Sequence, residues 1–396
     1  MKALLFERSL PKFAAARVMS EWRSGSGARV GPLRLADVAE PPLPGPAWQR
    51  VRPRLAGICG SDLATVDGRS SRYFEPIVSF PFTPGHEVVG DLDDGTRVVL
   101  EPVLRCAARG IEPPCPACQA GDTNRCRNIA YGHLEPGLQT GYCATTGGGW
   151  GIALVAHDTQ LHLVPDALTD EAAVMVEPTA CAVHGALAGP PDATDRELTA
   201  VVIGAGTLGL CTIAALSRYR PAYSSIIAVA KHPEQSRLAG QLGAAVVVEP
   251  GELRRAVRRR TGSFVLDSGQ LTGGATTVFD CVGTAVSLAD ALAVVEPGGT
   301  VVVLGMPGRV SIDLTGLWQR EVSVTGAYAY GTEHRDSAPR RTFDLAFELV
   351  AEAGLDRLVS ATYPLERFRE AVDHAAHAGR RGAVKVAFDL RKEKRR

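Results

Sequence analysis

The sequence predicts an α/β protein whose most recognisable part is a doubly wound parallel sheet. Residues 201–203 are apolar and β-branched, and they lead directly into the glycine-rich motif G-A-G-T-L-G at 204–209. An apolar pattern with helical spacing follows over 210–219. Further along the chain, apolar runs alternate with helical segments. Strands that are apolar throughout indicate a parallel sheet covered on both faces, which is the doubly wound architecture.

The remaining elements follow from the same alternation of patterns. After the first strand and helix we expect further strands at 225–230, 245–248, 276–281, 300–305 and 321–326. Helices are expected at 234–242 and 285–295 between them, and the C-terminal part should add helices at 343–354 and 365–379 and a strand at 383–386. By contrast, the first 60 or so residues look strand-rich and irregular, with Ser24-Gly25-Ser26-Gly27 as a flexible surface loop.

The glycine motif predicts a dinucleotide-binding turn. Its first glycine permits the tight turn, its second lets backbone approach a pyrophosphate, and its third lets the helix pack on the strand. The helix that follows offers unpaired N–H groups and the positive end of its dipole to the phosphates. We therefore predict cofactor contacts at Gly204, Gly206, Thr207, Leu208 and Gly209.

Composition limits the classes of function. The 396 residues exceed what one core normally organises, and 43 basic against 43 acidic side chains leave no net charge. That balance gives no reason to expect a nucleic acid or a membrane surface as partner. No apolar run reaches the roughly 18 residues of a membrane span, and no signal-peptide pattern is present, so we expect a soluble cytoplasmic protein. The basic residues at 391–396 are interpreted as a solvated end.

Four closely spaced cysteines predict a structural zinc lobe at about residues 101–130. Cys115, Cys118 and Cys126 form C-x2-C-x7-C, and Cys106 precedes them. In a cytosolic chain such clustering indicates a metal rather than disulfides, and four thiolates satisfy a closed tetrahedral zinc site. A zinc-ribbon binding module is the alternative use of such a lobe, but the large sheet domain argues against it as the whole function.

A second, catalytic zinc site is predicted from three scattered residues. The thiolate of Cys59, the imidazole of His86 and a carboxylate would hold one zinc and leave a position open for substrate. Glu177 is the candidate carboxylate, because it lies in an apolar stretch where a charge requires a partner.

With these motifs assembled, the chain resembles the zinc-dependent medium-chain dehydrogenases, the family of alcohol, polyol, glucose and threonine dehydrogenases. The resemblance covers almost the whole chain and rests on several motifs in the family's order: G-I-C-G-S-D at 57–62, P-G-H-E at 84–87, the cysteine lobe, E-P at 177–178, G-A-G-T-L-G at 204–209, D-C-V-G at 280–283 and P-G-G at 297–299. It implies a mostly β, GroES-like catalytic domain beside the Rossmann domain.

The resemblance implies roles for individual residues. Cys59, His86 and Glu177 would surround the catalytic zinc, with Glu87 as a further ligand or as a group that adjusts the metal. Cys181, one helical turn after Glu177, is the alternative ligand. Ser61 matches the hydroxyl residue that contacts the substrate oxygen and begins a proton relay.

This chain departs from the family at two positions. The family often has a histidine three residues after that hydroxyl residue, where this chain has Ala64, so the relay must run otherwise, through cofactor ribose and water or another group. The family usually places two residues between the first two lobe cysteines, whereas eight separate Cys106 from Cys115, which puts Cys106 in question as the fourth ligand.

The implied chemistry is hydride transfer between a secondary alcohol or polyol and a nicotinamide cofactor, with zinc as the Lewis acid. NAD-binding members place an acidic residue at the end of the second strand; here Ala230 is followed by Lys231 and His232, which favours NADP over NAD. Lys385 matches a basic position near the cofactor, although a surface charge is an equal alternative. We thus expect two zinc ions per chain and NADP, with NAD as the second choice.

The resemblance also suggests the domain organisation and the partners. Residues 1–188 would form the catalytic domain, 189–326 the Rossmann domain, and 327–396 would return to the catalytic domain. A small alcohol or ketone is the expected partner, and relatives are homodimers or homotetramers. A zinc-free quinone or enoyl reductase and a catalytically silent nucleotide-binding protein are the alternatives. Insertions at 11–30, 107–114 and about 127–150 would enlarge a pocket or decorate the surface.

Overall fold

The computed structural model describes residues 1–190, 197–334 and 338–391, which divide into two compact units. Unit 1 comprises Met1–Glu177 together with Tyr330–Arg396, and unit 2 comprises Pro178–Ala329. Residues 392–396, which make up most of the basic tail, lie outside the described residues. Two separate stretches of sequence therefore build unit 1, whereas unit 2 is continuous.

Most strands of both units are short, and the central strands of unit 2 are largely buried. In chain order they are β1 (Lys2–Phe6), β2 (Leu33–Asp37), β3 (Trp48–Gly57), β4 (Val88–Leu92), β5 (Arg97–Leu100), β6 (Leu154–His157), β7 (Leu161–Leu163), β8 (Leu198–Ile203), β9 (Tyr223–Val229), β10 (Val246–Val248), β11 (Ala275–Asp280), β12 (Val295–Val303), β13 (Ser323–Gly326), β14 (Thr332–Glu333), β15 (Arg340–Arg341), β16 (Val359–Tyr363) and β17 (Lys385–Asp389).

Helices connect most of these strands, and short 3-10 segments supplement them in the described part of the chain. The helices are α1 (Leu10–Trp22), α2 (Gly27–Val30), α3 (Gly60–Val66), α4 (Pro116–Gln119), α5 (Asp170–Ala173), α6 (Val176–Leu187), α7 (Thr207–Tyr219), α8 (Pro233–Gln241), α9 (Leu253–Thr261), α10 (Ala285–Val294), α11 (Thr315–Gln319), α12 (Thr342–Ala353) and α13 (Phe368–Ala376). The 3-10 segments are Arg72–Ile77, Thr123–Arg125, Asp158–Gln160, Pro250–Glu252, Leu355–Leu358, Leu365–Arg367 and Gly379–Arg381.

Unit 2 is the predicted doubly wound domain. Its six strands are all parallel and lie in the order β10-β9-β8-β11-β12-β13. Numbered from β8, this is the 3-2-1-4-5-6 order of dinucleotide-binding sheets, in which the strand order reverses between the first and fourth strands. Ile203 at the end of β8 pairs with Asp280 at the end of β11, so the two carboxyl ends meet at that reversal. The sheet class predicted from the sequence is confirmed.

Unit 1 is mostly β, as the resemblance implied. Its main sheet has the order β16-β17-β3-β4-β5-β7, with β6 also pairing with β3. One apolar core joins this sheet to the N-terminal strands and to α13, and its largest fully buried side chain is Trp150. The indole of Trp150 packs edge-on against Phe388 at 5.1 Å between centroids, and its Nε1 donates to Gly57 O at 3.2 Å.

The N-terminal prediction was wrong in two respects. The region is not simply strand-rich, because the insertion at 11–30 forms α1 and α2. Its Ser24-Gly27 segment is not a flexible surface loop: the N–H groups of Gly25 and Gly27 donate to the buried carboxylate of Asp67 at 2.8 and 3.1 Å. A Cβ at Gly27 would lie 2.0 Å from Val66 O, so the backbone there packs too tightly for any other residue.

Two C-terminal boundaries also differ from expectation. The helix expected over 365–379 breaks into a 3-10 turn, Leu365–Arg367, and the nine-residue α13. The closing strand extends to Asp389, because its residues pair with β3 and β16 on both sides. Within the described ranges, no helix combines the length and the apolar character that crossing a membrane requires.

Candidate active site

Two strands bring predicted zinc ligands of unit 1 together. Cys59 follows β3, His86 and Glu87 precede β4, and the two strands pair in antiparallel register with Ala56 opposite Val88. The N–H of Gly57 donates to Glu87 O at 2.8 Å, which joins the ends of the two strands. As a result one ligand atom each from Cys59, His86 and Glu87 lies within 4.8 Å of the others. The neighbouring ends of the two strands thus bring together residues that are far apart in sequence.

Asp62 connects two members of this cluster and was not among the predicted site residues. Its Oδ2 accepts the Cys59 N–H at 2.9 Å, and its Oδ1 lies 3.5 Å from His86 Nδ1. Burial by itself lowers the pKa of His86, but Asp62 and Cys59 raise it well above its usual value overall. The only available signal was the position of Asp62 at the end of G-I-C-G-S-D.

Lys385 is buried and forms an ion pair with Glu87, so the interpretation of Lys385 as a surface charge was wrong. Its side chain is 2% exposed, that of Glu87 is 1% exposed, and the Nζ contacts Glu87 Oε2. The Nζ also donates to Ile58 O at 3.3 Å. Because the N–H of Ile58 donates to Val386 O, the pairing of β17 with β3 places Lys385 in the ligand cluster.

Glu177 lies near the cluster without belonging to the group of three converging ligand atoms. Its carboxylate is buried and accepts the Tyr330 hydroxyl at 3.0 Å. Burial raises the pKa of Glu177 to about 7; His86 opposes this shift and Glu87 adds to it. Glu87, rather than Glu177, is thus the carboxylate that the structure brings to Cys59 and His86. Cys181, the alternative ligand, is half-buried on α6 and lies outside the three-residue group.

The residues present fit a catalytic zinc ion. Thiolate, imidazole and carboxylate are the donors that zinc takes from proteins, and three such ligands are the usual complement of a catalytic site. The cluster is largely buried, and the Nδ1 of His86 has no hydrogen-bond partner at normal distance and angle. A buried imidazole with an unsatisfied nitrogen costs free energy, which metal coordination or a closer approach to Asp62 would recover.

Cys106 joins the other three lobe cysteines despite its long spacing. All four sulfurs lie within 4.8 Å of one another, and Cys106 Sγ is 3.7 Å from Cys126 Sγ. A tetrahedral site with Zn–S bonds of about 2.3 Å places its sulfurs about 3.8 Å apart, so the separation fits a bound zinc ion. Backbone N–H groups point at these sulfurs, from Cys115 to Cys106 at 3.3 Å and from Asn128 to Cys126 at 3.4 Å.

Arg109 holds the eight-residue spacer between Cys106 and Cys115 in place within the lobe. Its guanidinium is fully buried and donates only to carbonyl oxygens, including Leu104 O at 3.1 Å, Tyr131 O at 2.9 Å and Gly137 O at 2.6 Å. The spacer is thereby tied to both flanking segments. Nothing in the sequence singles out Arg109, since an arginine in a loop normally indicates a solvated charge.

The glycine motif of unit 2 has the backbone that a phosphate-binding turn requires. Gly204 has φ +93°, and a Cβ at Gly209 would lie 1.7 Å from Gly204 O. Gly206, by contrast, is extended and would have open space at its Cβ. Thr207 and Leu208 are the first two residues of α7. Gly204 thus allows the turn, Gly206 leaves room for a pyrophosphate to approach the backbone, and Gly209 allows the helix to pack closely, which are the three roles of the glycines in this motif.

The residues that follow β9 and β11 complete this end of the sheet. Lys231 is exposed and lies two residues after β9, and His232 is the half-buried residue before α8. Asp280, which the sequence analysis left unassigned, is fully buried and accepts the N–H groups of Val282 and Gly283 at 2.9 and 3.0 Å. It therefore shapes the turn after β11, beside the turn at Gly204.

Comparison with known families covers both units. Residues 45–166 match the family described as "Alcohol dehydrogenase GroES-like domain", and residues 207–352 match "Zinc-binding dehydrogenase". Among curated relatives, a sorbitol dehydrogenase of Arabidopsis thaliana is 29% identical over 94% of this chain and 95% of its own length. An L-idonate 5-dehydrogenase of Vitis vinifera is 26% identical over 94% of each chain.

Solved structures share the fold along nearly the whole chain. A zinc-binding dehydrogenase of Sinorhizobium meliloti bound to NADP has a TM-score of 0.69 at 24% identity and covers 98% of each chain. The 2R,3R-butanediol dehydrogenase of Bacillus subtilis has a TM-score of 0.68 at 22% identity, covering 98% of this chain and 99% of that one. Taken with the four-cysteine lobe and the Cys59, His86 and Glu87 cluster, the two family matches at 45–166 and 207–352 show that the chain belongs to the zinc-binding medium-chain alcohol dehydrogenase family.

Proposed function

We propose that the protein is an NADP-preferring dehydrogenase that interconverts a secondary alcohol or polyol with its ketone. The observation that carries the proposal is the convergence of Cys59, His86 and Glu87 at the paired ends of β3 and β4. Unit 1 would be the catalytic domain and unit 2 the dinucleotide-binding domain. The domain boundaries expected after residues 188 and 326 remain a prediction.

Each residue of the cluster has a role in this proposal. Cys59, His86 and Glu87 would hold the catalytic zinc, and Asp62 would orient His86. Glu177, whose carboxylate accepts a hydrogen bond from Tyr330, would lie beside the metal and change the electrostatic potential at it. When bound, zinc supplies Lewis acidity and the oxidised nicotinamide accepts the hydride. Ser61, half-buried in the first turn of α3, would receive the proton of the substrate hydroxyl.

The preference for NADP rests on the end of β9. A carboxylate at that position would accept the ribose 2′-hydroxyl of NAD, but Ala230 has none, and the exposed Lys231 offers a cation to a 2′-phosphate. Among structural neighbours, the protein of Sinorhizobium meliloti was solved with NADP and an acetophenone reductase of Geotrichum candidum with NAD. The fold therefore accommodates either cofactor, and the preference depends on local residues.

One experiment tests the proposal in two parts. We compare the wild type with Cys59→Ser and Cys115→Ser. The first measurement is the zinc content per chain. The second is NADP- or NAD-dependent oxidation of a panel of secondary alcohols and polyols. We expect about two zinc ions in the wild type and one in each variant. Cys59→Ser should lose turnover and keep cofactor binding. A Cys59→Ser variant with two zinc ions and full turnover would refute the assignment.

The cofactor preference has its own variant and control. Lys231→Ala should raise KM for NADP and leave KM for NAD nearly unchanged, whereas Lys12→Ala, an exposed lysine of α1, should change neither. If the wild type uses NADP and NAD equally well and Lys231→Ala changes neither, the proposed preference for NADP is wrong.

The alternative functions have weaker support. A zinc-free quinone or enoyl reductase has no use for a buried Cys, His and Glu cluster whose ligand atoms converge. A silent nucleotide-binding protein would bind NADPH and fail in the turnover assay. No disulfide joins the cysteines of the described chain, which supports a reducing, cytoplasmic setting.

We also infer a homo-oligomer, in which the edge of the unit 2 sheet is the contact surface. β13 is the last strand of that sheet, and Val324 on it and Trp318 beside it are exposed, Trp318 to 78%. An exposed apolar sheet edge is a template for pairing with another chain. Val324→Lys should shift the mass measured by light scattering toward that of the monomer, and an unchanged mass would exclude this edge.

A further inference from the structure

The structure contains a series of hydroxyl groups beside Ser61 that the family resemblance does not predict. This series lies in unit 1, near Ala64, the position at which the family often has its relay histidine. The series begins at Tyr142, which comes from the irregular insertion at 127–150, and continues through Thr65 of α3 to Ser70. Every member is a hydroxyl, so each can accept one proton and donate another.

Tyr142 is held tightly in this position. Its side chain is buried, and its ring packs against Phe82 at 5.4 Å and against His86 at 5.9 Å between centroids. Its hydroxyl donates to Asp62 Oδ1 at 3.3 Å and lies 3.4 Å from Thr65 Oγ1. Such contacts are long for O–H···O bonds, but catalytic hydrogen bonds often tighten only when substrate binds.

The phenol is also a neighbour of Ser61, the residue where the substrate proton would arrive. The Tyr142 hydroxyl is within hydrogen-bonding reach of both Ser61 and Thr65. Ser61 and Thr65 are four residues apart on α3 and so share a face of that helix.

The far end of the series reaches toward solvent. Thr65 Oγ1 lies 2.9 Å from Ser70 Oγ, and Ser70 is half-buried. The backbone N–H of Ser70 donates to Ala64 O at 3.2 Å, which fixes it against the end of α3. A proton that reaches Ser70 can pass to water without crossing the apolar core.

We propose that the proton released from the substrate hydroxyl passes from Ser61 Oγ through Tyr142 Oη and Thr65 Oγ1 to Ser70 Oγ and then to water. This inference rests on the proposed function. In alcohol oxidation the substrate loses a hydride to the oxidised nicotinamide and a proton to Ser61. Each hydroxyl of the series accepts one proton and donates its own. At rest the Tyr142 hydroxyl donates to Asp62 Oδ1 and the Thr65 hydroxyl donates to Ser61 O at 2.9 Å, so both O–H groups rotate toward the next member during transfer. The reverse rotation restores the starting hydrogen bonds.

Thr65→Val is the decisive variant, because it breaks the series and leaves the bond from Tyr142 to Asp62 in place. Thr65→Ser, which keeps the hydroxyl, is its matched control. Ser70→Ala interrupts the exit and covers the case in which Thr65→Val does not fold. For the phenol, Tyr142→Phe is compared with Tyr363→Phe, whose hydroxyl bonds to His374 Nδ1 at 2.8 Å and is not part of the series.

Three measurements are made on each variant: kcat for oxidation, the solvent deuterium isotope effect, and proton release in a single turnover followed with a pH indicator. Zinc per chain and NADPH binding, measured by fluorescence, report whether the site itself is intact. We expect Thr65→Val to keep both zinc ions and its NADPH affinity while kcat falls about 10- to 100-fold. Proton release should slow in parallel, and Thr65→Ser should behave like the wild type.

Adding the family's histidine provides a rescue. Ala64→His in the Thr65→Val background should restore most of the lost rate, which a purely structural role for Thr65 would not predict. Wild-type kcat, isotope effect and proton release in Thr65→Val and Ser70→Ala would overturn the relay and leave the dehydrogenase assignment intact. Absence of any nicotinamide-dependent turnover in the wild type would instead contradict the proposed function and the relay together.

Discussion

Lys385 and Glu87 form an ion pair with both side chains buried, at the point where β17, β3 and β4 meet. Lys385 is the first residue of β17, and Glu87 lies in the segment before β4 that also carries His86. A buried charge that loses its partner costs far more than an exposed one, because water cannot replace the lost interaction. The C-terminal segment therefore supplies a charge on which the candidate zinc site depends.

Lys385→Met should leave Glu87 as an uncompensated buried charge. We expect the metal-free protein to lose about 3–5 kcal/mol of unfolding free energy, and the zinc-loaded protein to lose less, because the metal charge compensates Glu87. Denaturant unfolding with and without a chelator measures both values. The double variant Glu87→Gln/Lys385→Met should be less destabilised than the sum of the single variants. Additive effects would mean that the pair does not interact.

Two glycines of the nucleotide-binding turn should fail in different ways. Gly209→Ala places a Cβ 1.7 Å from Gly204 O, a backbone atom that cannot move aside, so we expect about 2–3 kcal/mol of destabilisation. At Gly206 a Cβ meets no atom within 4 Å, so Gly206→Ala should fold normally. It should nevertheless bind NADPH about 10-fold more weakly, because the second glycine lets backbone approach the pyrophosphate. Thermal melting and fluorescence titration separate the two effects, and a fully stable Gly209→Ala would contradict the packing.

Arg109 should control how tightly the cysteine lobe keeps its metal. Arg109→Met removes a fully buried guanidinium from several carbonyl oxygens, and we expect about 3 kcal/mol of destabilisation and faster zinc loss to a colorimetric chelator. Arg125→Ala is the matched control in the same lobe, since its side chain is exposed and forms a surface ion pair with Asp122. That change should cost less than about 1 kcal/mol. Equal rates of zinc release from the two variants would remove the assigned role.

The stability of unit 1 should depend on Glu101 at acid pH. Burial by itself raises the pKa of Glu101, but the hydrogen bond from His162 at 2.7 Å and the charges of Arg105 and Arg341 lower it overall from its ordinary value of 4.5. Because the folded-state pKa is lower, the stabilisation is present above about pH 4.5 and is lost as pH falls through the folded value.

Glu101→Gln isolates this contribution. We expect the variant to lose about 1–3 kcal/mol at pH 7, where the carboxylate of the wild type is ionised. The gap between the two proteins should narrow below pH 4.5, the ordinary value for this carboxyl group, as the wild type takes up its proton. Urea unfolding at a series of pH values measures this gap. A gap that stays constant down to pH 3 would contradict the lowered pKa.

The sequence by itself determined the class of fold and the chemistry of its motifs. The parallel sheet follows from uniformly apolar strands alternating with helices, and the turn at 204–209 follows from its glycines, because both are local patterns. The two groups of metal-binding residues were also legible, since Cys59, His86 and the lobe cysteines carry chemistry that few other roles require.

Only the tertiary structure decided which of these residues meet. Pairing of β17 with β3 brings Lys385 to Glu87, and pairing of β3 with β4 brings Glu87 rather than Glu177 to Cys59 and His86. Tyr142 reaches Asp62 from 80 residues away along the chain, and Arg109 is buried although loop arginines are usually solvated. Strand register and long-range packing set these contacts, and neither leaves a periodic or compositional signal in the sequence around the residues concerned.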